Sequence, residues 1–343
     1  MSRQVSRWRQ WASLFAAALL VLQGNRSASV VPQESNGDIL LITSKHDPYS
    51  QIIRVKADGS ERKVLTAEKE YAADPRLSPD GKRVSFIAVV GDIFAAHQEV
   101  GLYVMNADGS GRKRLAEKEL GDRTPAAPQW SPDGKRLAFC TRPQGLDGHK
   151  YRLYIVDADG GNLKRLETPE AFAPVWSADG KRLLITRAYD PKTGRWRPSL
   201  CTAKVDGTDL HELVPWAQTG AWSPDGTRLA FAALFRPRGD REEPEPGGLF
   251  VARADGSHPK RIAKLGKEGF SKTELGFLHL FSVQWSSDSK RLFFSRIGQR
   301  DNDVEKTVRP WMVYVIDADG RNLRQVTAAD TPEFLGATTN TER

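Results

Sequence analysis

Cysteine is scarce: the 343 residues include only Cys140 and Cys201, 61 positions apart, with no Cys-x-x-Cys and no Cys/His cluster. That usage excludes a disulfide framework and a structural zinc site. Both thiols sit in apolar strand-like runs (RLAFC, SLCTA), where sulfur acts as a small hydrophobe, so buried free thiols are expected. Long apolar runs are missing too. The longest, Trp11 to Leu22, has about a dozen residues, against roughly 20 for a spanning helix. The first 29 residues contain no acidic side chain. Also absent are a Gly-x-Ser-x-Gly elbow, a Gly-x-x-x-x-Gly-Lys-Ser/Thr loop and a His-Glu-x-x-His pair. The commonest serine-hydrolase, phosphate-loop and zinc-protease chemistries therefore lack their sequence marks.

The acid-free N-terminus has its own meaning. Three arginines in residues 1–10, the short apolar run, and a polar stretch ending in Ser27, Ala28 and Ser29 predict a secretory signal peptide over 1–29, with the mature chain starting at Val30. No cysteine follows the apolar run, which excludes a bacterial lipid anchor there. A periplasmic or secreted location is expected, with no membrane span after signal removal. Net charge is +8, but Arg3, Arg7, Arg9 and Arg26 supply four of those charges, leaving +4 on the rest. Charge alone thus gives no reason to expect a nucleic-acid partner. Apolar content of 39%, 27% charged residues and a mean hydropathy of −0.51 describe an ordinary globular protein.

Against these absences stands a repeat. PRLSPDGKRVSFI from Pro75 recurs as PQWSPDGKRLAFC (Pro128), PVWSADGKRLLIT (Pro174), GAWSPDGTRLAFA (Gly220) and VQWSSDSKRLFFS (Val283). A second segment, typified by GLYVMNADGSGRKRLA from Gly101, occurs six times; its turn aspartates are residues 58, 108, 159, 206, 255 and 319. Asp-Gly between β-prone runs signals a hairpin whose central residues both take positive φ. One period therefore holds four antiparallel strands, the blade of a β-propeller. Trp130, Trp176, Trp222 and Trp285, with Leu77 in the same place, are expected to pack between blades. Five complete units run from Pro75 to Thr327, and 38–66 supplies three further strands. Pro332, Glu333 and Phe334 repeat the Pro-x-aromatic register of Pro128–Trp130. The expectation is an all-β, six-bladed propeller over 38–338, its ring closed by a C-terminal strand that completes the first blade and removes exposed sheet edges.

The WSPDGKRLAF and LYVxDADGxxxxRLT patterns resemble the repeats of TolB-type propellers. The resemblance implies a propeller that binds a protein partner. Similar blades also accompany the hydrolase domains of prolyl-oligopeptidase-like peptidases, for which these 343 residues leave no room. A TolB-type chain carries an α/β domain before its propeller, and here only about ten residues are expected between signal and first blade, so a role tied to that domain is not carried over.

Tight Asp-Gly turns occupy one face of the expected disc and the long connections the other, where binding residues usually lie. His46, His97 and His149 fall in equivalent connections, and converging imidazoles can bind metal or serve as acid and base, although no metal-ligand spacing links them. Arg195, Trp196 and Arg197 in one unit, and Arg300, Arg309 and Trp311 in another, combine the residue types that anchor interfaces. The stretch from Gly239 to Gly247 reads as an acidic loop tip. The Asp-x-Asp-Gly turns lack the ligands of a calcium loop. The sequence points to a monomeric, non-catalytic binder of an envelope or extracellular protein or peptide, with no cofactor and no metal. The alternatives are a polysaccharide lyase or hydrolase and a carbohydrate- or small-ligand-binding module.

Overall fold

The structure is a computed structural model and describes residues 38–46, 49–56, 61–90, 99–121, 123–142, 151–194, 196–236, 245–264, 280–297, 311–325 and 333–340. Apart from a one-turn helix (Glu117–Leu120), these residues form strands joined by turns. Sheet I holds β1 (Asp38–His46), β2 (Tyr49–Lys56), β3 (Lys63–Val64), β4 (Tyr71–Leu77), β5 (Arg83–Val90), β6 (Glu99–Asn106) and β7 (Lys113–Leu115). Sheet II holds β8 (Thr124–Trp130), β9 (Arg136–Arg142), β10 (Arg152–Asp157) and β11 (Lys164–Arg165). Sheet III holds β12 (Phe172–Trp176), β13 (Arg182–Tyr189), β14 (Trp196–Lys204) and β15 (His211–Pro215). Sheet IV holds β16 (Ala217–Trp222), β17 (Arg228–Arg236), β18 (Glu245–Arg253) and β19 (Lys260–Lys264). Sheet V holds β20 (Leu280–Trp285), β21 (Arg291–Ile297), β22 (Trp311–Asp317) and β23 (Arg324–Gln325). The last strand, β24 (Glu333–Asn340), returns to sheet I.

The repeat arithmetic leads to six separate sheets, and the strands form five. Sheet I has eight strands because Ser50 of β2 pairs in parallel with Tyr71 of β4. Ser50 donates its amide to Glu70 O (2.9 Å) and its hydroxyl to Ala72 O (2.9 Å), welding β1–β3 to β4–β7. β24 pairs antiparallel with β1, from Asp38 opposite Asn340 to Ser44 opposite Glu333. A second correction concerns the acidic tip: Glu245, Pro246 and Gly247 lie in β18, where Glu245 faces Arg236, and 237–244 lie outside the described residues.

The hairpins depart from the expected chemistry as well. In Ser78-Pro-Asp-Gly-Lys-Arg83, only Gly81 takes positive φ (70°). Gly81 N donates to Ser78 O, and Ser78 N to Arg83 O, a tight turn followed by a left-handed glycine. Asp80 serves as an acceptor, for the Ser78 hydroxyl (2.5 Å) and Lys82 N (3.1 Å). The same Ser–Asp bond recurs at Ser131/Asp133, Ser177/Asp179, Ser223/Asp225 and Ser286/Asp288. In the last turn Ser289 replaces the glycine at φ 59°. In the second hairpins, Asp159 accepts from Gly161 N and Asp157 from the Asn162 amide, so those carboxylates serve the turn.

These turns carry a pH dependence. The Ser223 hydroxyl, then Thr227 N, hold Asp225 down to about 2, and the Ser78, Ser131 and Ser177 hydroxyls likewise lower Asp80, Asp133 and Asp179. A carboxylate with a depressed folded-state pKa stabilises above its unfolded value, near 4, and that contribution is lost as pH falls toward the folded value. The melting temperature should therefore fall steeply between about pH 4 and pH 2. Ser223→Ala should flatten that slope in thermal scans, and an unchanged slope would refute the assignment.

Runs such as RLAFC send alternate side chains to opposite faces of a sheet, and both faces are buried. Leu137 and Phe139 pack toward Ile87, Leu102 and Leu115 of sheet I, whereas Ala138 and Cys140 pack toward Trp176, Leu183 and Cys201 of sheet III. Each buried Leu or Phe contributes about 1.5–3 kcal/mol. Polar latches reinforce the joints. Trp130 Nε1 donates to Arg76 O (3.0 Å), Trp176 Nε1 to Gln129 O (3.1 Å) and Trp285 Nε1 to Ala221 O (2.9 Å), each across a joint. Arg83, Arg136 and Arg228 lie over those three rings at 4.7–4.9 Å. Trp222 breaks the expected pattern: it is half-buried, and its Nε1 bonds Ala254 O of its own sheet (2.9 Å). At the periphery, Lys63 donates to Asp108 O and Lys113 to Asp159 O of the next hairpin. Lysines there also protect exposed strand edges from pairing with other chains.

Candidate functional site

The hairpin turns between first and second strands, and between third and fourth, lie on one face of the sheets, and the connections between second and third strands emerge on the other. His46 ends β1 opposite Tyr49, Trp196 opens β14 opposite Tyr189, and Trp311 opens β22 opposite Ile297. Backbone register thus sets Trp196 and Trp311 beside the 190–195 and 298–310 connections of sheets III and V, whereas His46, expected within a connection, is the last residue of β1 with only Asp47 and Pro48 before β2. Arg195, Arg300, Arg309, His97 and His149 lie outside the described residues. Of the nine candidates, Arg197 alone has a described side chain.

Arg197 is built into an ionic cluster. Its Nη1 and Nη2 donate to Glu212 Oε2 (2.7 Å) and Oε1 (3.0 Å), and Arg187 Nη2 donates to Glu212 Oε2 (3.0 Å). β13 supplies Arg187, β14 Arg197 and β15 Glu212, so three adjacent strands fix the group at the root of the 190–195 connection. The forked pairing with Arg197 lowers the Glu212 carboxyl and raises the Arg197 guanidinium. Arg187 is 15% exposed, and its Nε is buried with no partner among the described residues. Two guanidinium groups share one carboxylate, so Glu212 organises both. Glu212→Gln is expected to cost about 1–3 kcal/mol, because it leaves Arg187 and Arg197 partly desolvated without a counter-charge. Urea titration checks this, and a loss below 0.5 kcal/mol would contradict it.

Sequence reasoning missed Glu212 and Arg187. A signal was present: Glu212 stands where three of the other five hairpins carry arginine (Arg114, Arg165 and Arg261), a reversal of charge at one repeat position. Beneath the cluster, burial pushes the Cys201 thiol up to about 11, and Cys140 is buried too; thiols in that state are poor nucleophiles. No group of three His, Cys, Asp or Glu among the described residues is placed to hold a metal ion, and no helix among them is long and apolar enough to cross a membrane.

No family model matches the chain. A stretch of 90 residues is 34% identical to Dipeptidyl-peptidase 5 of Porphyromonas endodontalis, covering 26% of this chain and 12% of that protein. Another of 118 residues is 28% identical to the Tol-Pal system protein TolB of Alcanivorax borkumensis, covering 34% of this chain and 25% of that one. The chain thus matches a quarter or less of the length of either protein. Among solved structures, TolB from Acinetobacter baumannii superposes with a TM-score of 0.64 at 15% identity, over 90% of this chain and 68% of that one. A putative TolB from Agrobacterium tumefaciens gives 0.57 at 17% identity, over 88% and 94%. With its small antiparallel sheets in series, the fold is a TolB-like β-propeller.

Proposed function

We propose that the chain is a periplasmic or secreted propeller that binds a protein or peptide partner on its long-connection face, without catalysis, after removal of residues 1–29. The observation that carries this reading is the placement of Trp196 and Trp311 at strand ends beside the long connections, on one face of a rigid scaffold. Aromatic and arginine side chains in such places anchor interfaces. Likeness to TolB structures over most of the chain supports the same reading as an analogy of fold. Sheet I is counted as two four-stranded units, one of them completed by β24, which gives six blades in a closed ring. In support, β24 pairs with β1 and packs beside both β4 and β20.

A second reading, a propeller working in peptide hydrolysis, has one observation in its favour, the local identity to Dipeptidyl-peptidase 5. A pull-down from envelope extract with the chain from Val30 separates the two. The binding reading expects a specific protein retained by the native chain and lost from the Trp196→Ala/Trp311→Ala variant. Cleavage of chromogenic dipeptide substrates by the pure chain, with no partner retained, would overturn it in favour of the second. Arg197 is left intact, because its loss also disrupts the Glu212 cluster.

A further inference from the structure

We infer that this propeller has a built-in seam, the joint between sheets III and IV, which opens locally while the neighbouring joints stay closed. Four departures from the repeat coincide there. Trp222 turns its indole N–H to Ala254 O of sheet IV, where the equivalent tryptophans bond the carbonyl of the preceding sheet. Arg182, in the place of the arginines that lie over those rings, is drawn away by Asp209 (Nη1 to Oδ2, 2.7 Å; Nη2 to the backbone O, 3.0 Å) and Thr202. His211 replaces the peripheral lysine and turns its Nδ1 back to Asp209 O (3.2 Å). At the hairpins, Ala178 packs near Gly226, where Pro79 and Pro132 pack near Gly134 and Gly180. Gly220 stands where three of the other units have proline, although the unit of sheet V, with Val283, lacks it as well.

A strand-to-strand link without slack accompanies these changes. Trp216 alone joins β15 to β16, at φ 61°, a conformation a bulky residue adopts only under constraint. Apolar packing of Leu184, Leu200 and Val214 on Leu229, Phe231 and Ala252 remains, and Thr186 Oγ1 donates to Gln218 O (2.9 Å). Among the described residues, the joint thus has neither the indole-to-carbonyl bond nor the overlying arginine that its neighbours have. Local openings start where cooperative contacts are fewest.

Thiol labelling of the folded chain tests this. Cys140 and Cys201 report the joint between sheets II and III, Ala230→Cys the joint between IV and V, and Ala252→Cys and Ala217→Cys the seam. With a maleimide probe and mass-spectrometric readout by site, both seam thiols should react at least tenfold faster than the other three. Equal rates at all sites would mean that only global unfolding exposes them and would overturn the inference. Combining Asp209→Ala and Thr202→Val with His211→Lys removes both side-chain acceptors that hold Arg182 and restores the peripheral lysine. Provided its melting temperature shows it folded, this variant should slow seam labelling at least threefold, and an unchanged rate would overturn the assignment to the missing latches.

Discussion

Gly207→Ala is expected to destabilise the fold by about 2–4 kcal/mol, through two effects that add. Gly207 holds φ at 91° in a hairpin of sheet III, outside the range L-residues adopt easily. A Cβ there would also stand 3.0 Å from Glu167 N and 3.5 Å from Leu166 Cβ, beside the outer strand of sheet II. The close neighbour is backbone, which cannot swing aside, so relief requires sheets II and III to part. Gly194 is the control: its φ is 64°, and a Cβ would meet nothing within 4 Å. Gly194→Ala should cost about 1 kcal/mol, the conformational effect alone. Guanidinium titrations of the two variants separate these contributions. Equal losses would show that the hairpin glycines are kept for their turns and not for close approach between sheets.

Trp176→Ala should cost about 3–5 kcal/mol, the usual range for deleting a buried large aromatic. Trp176 is 6% exposed, packs among Leu183, Ile185 and Ala138, bonds Gln129 O, and lies under Arg136 at 4.9 Å. Its removal opens a cavity at the joint of sheets II and III and removes one of that joint's polar latches. Trp222→Ala should cost about 1–2 kcal/mol less, since Trp222 is half-buried, has no arginine over its ring among the described contacts, and bonds its own sheet. Trp222→Ala proving as costly as Trp176→Ala would mean that the turned indole still locks the seam.

Much of the local structure was legible from residue types. Repeated Ser-x-Asp-Gly with flanking β-branched and aromatic residues specifies hairpins through local bonding, because Ser78 needs only Asp80 and Arg83, a few positions away. Runs that are apolar at every position announce sheets buried on both faces, as Leu137 and Ala138 are. The C-terminal segment does meet β1, but not in the register expected from Pro332–Phe334: Phe334 lies opposite Thr43 near the end of β1, whereas Trp130 lies opposite Leu137 near the start of β9, and Pro332 lies outside the described residues. The candidate site was far less legible. Arg197 looked like an available anchor, since nothing near it in sequence opposes its charge, yet Glu212, fifteen positions on and in the next strand, takes both of its donor groups.

Strand identity, turn positions and the faces each strand buries were thus written in the sequence itself, because they depend on contacts within about six residues and on side-chain alternation, whereas the two positive-φ residues expected in each Ser-x-Asp-Gly turn reduce to the glycine alone. Three features were decided by tertiary structure: the union of eight strands in sheet I through Ser50, the capture of Arg187 and Arg197 by Glu212, and the turning of Trp222 away from sheet III. Each depends on which partner a polar group meets once the sheets are packed. A short motif names the donor, but only the assembled neighbours supply the acceptor.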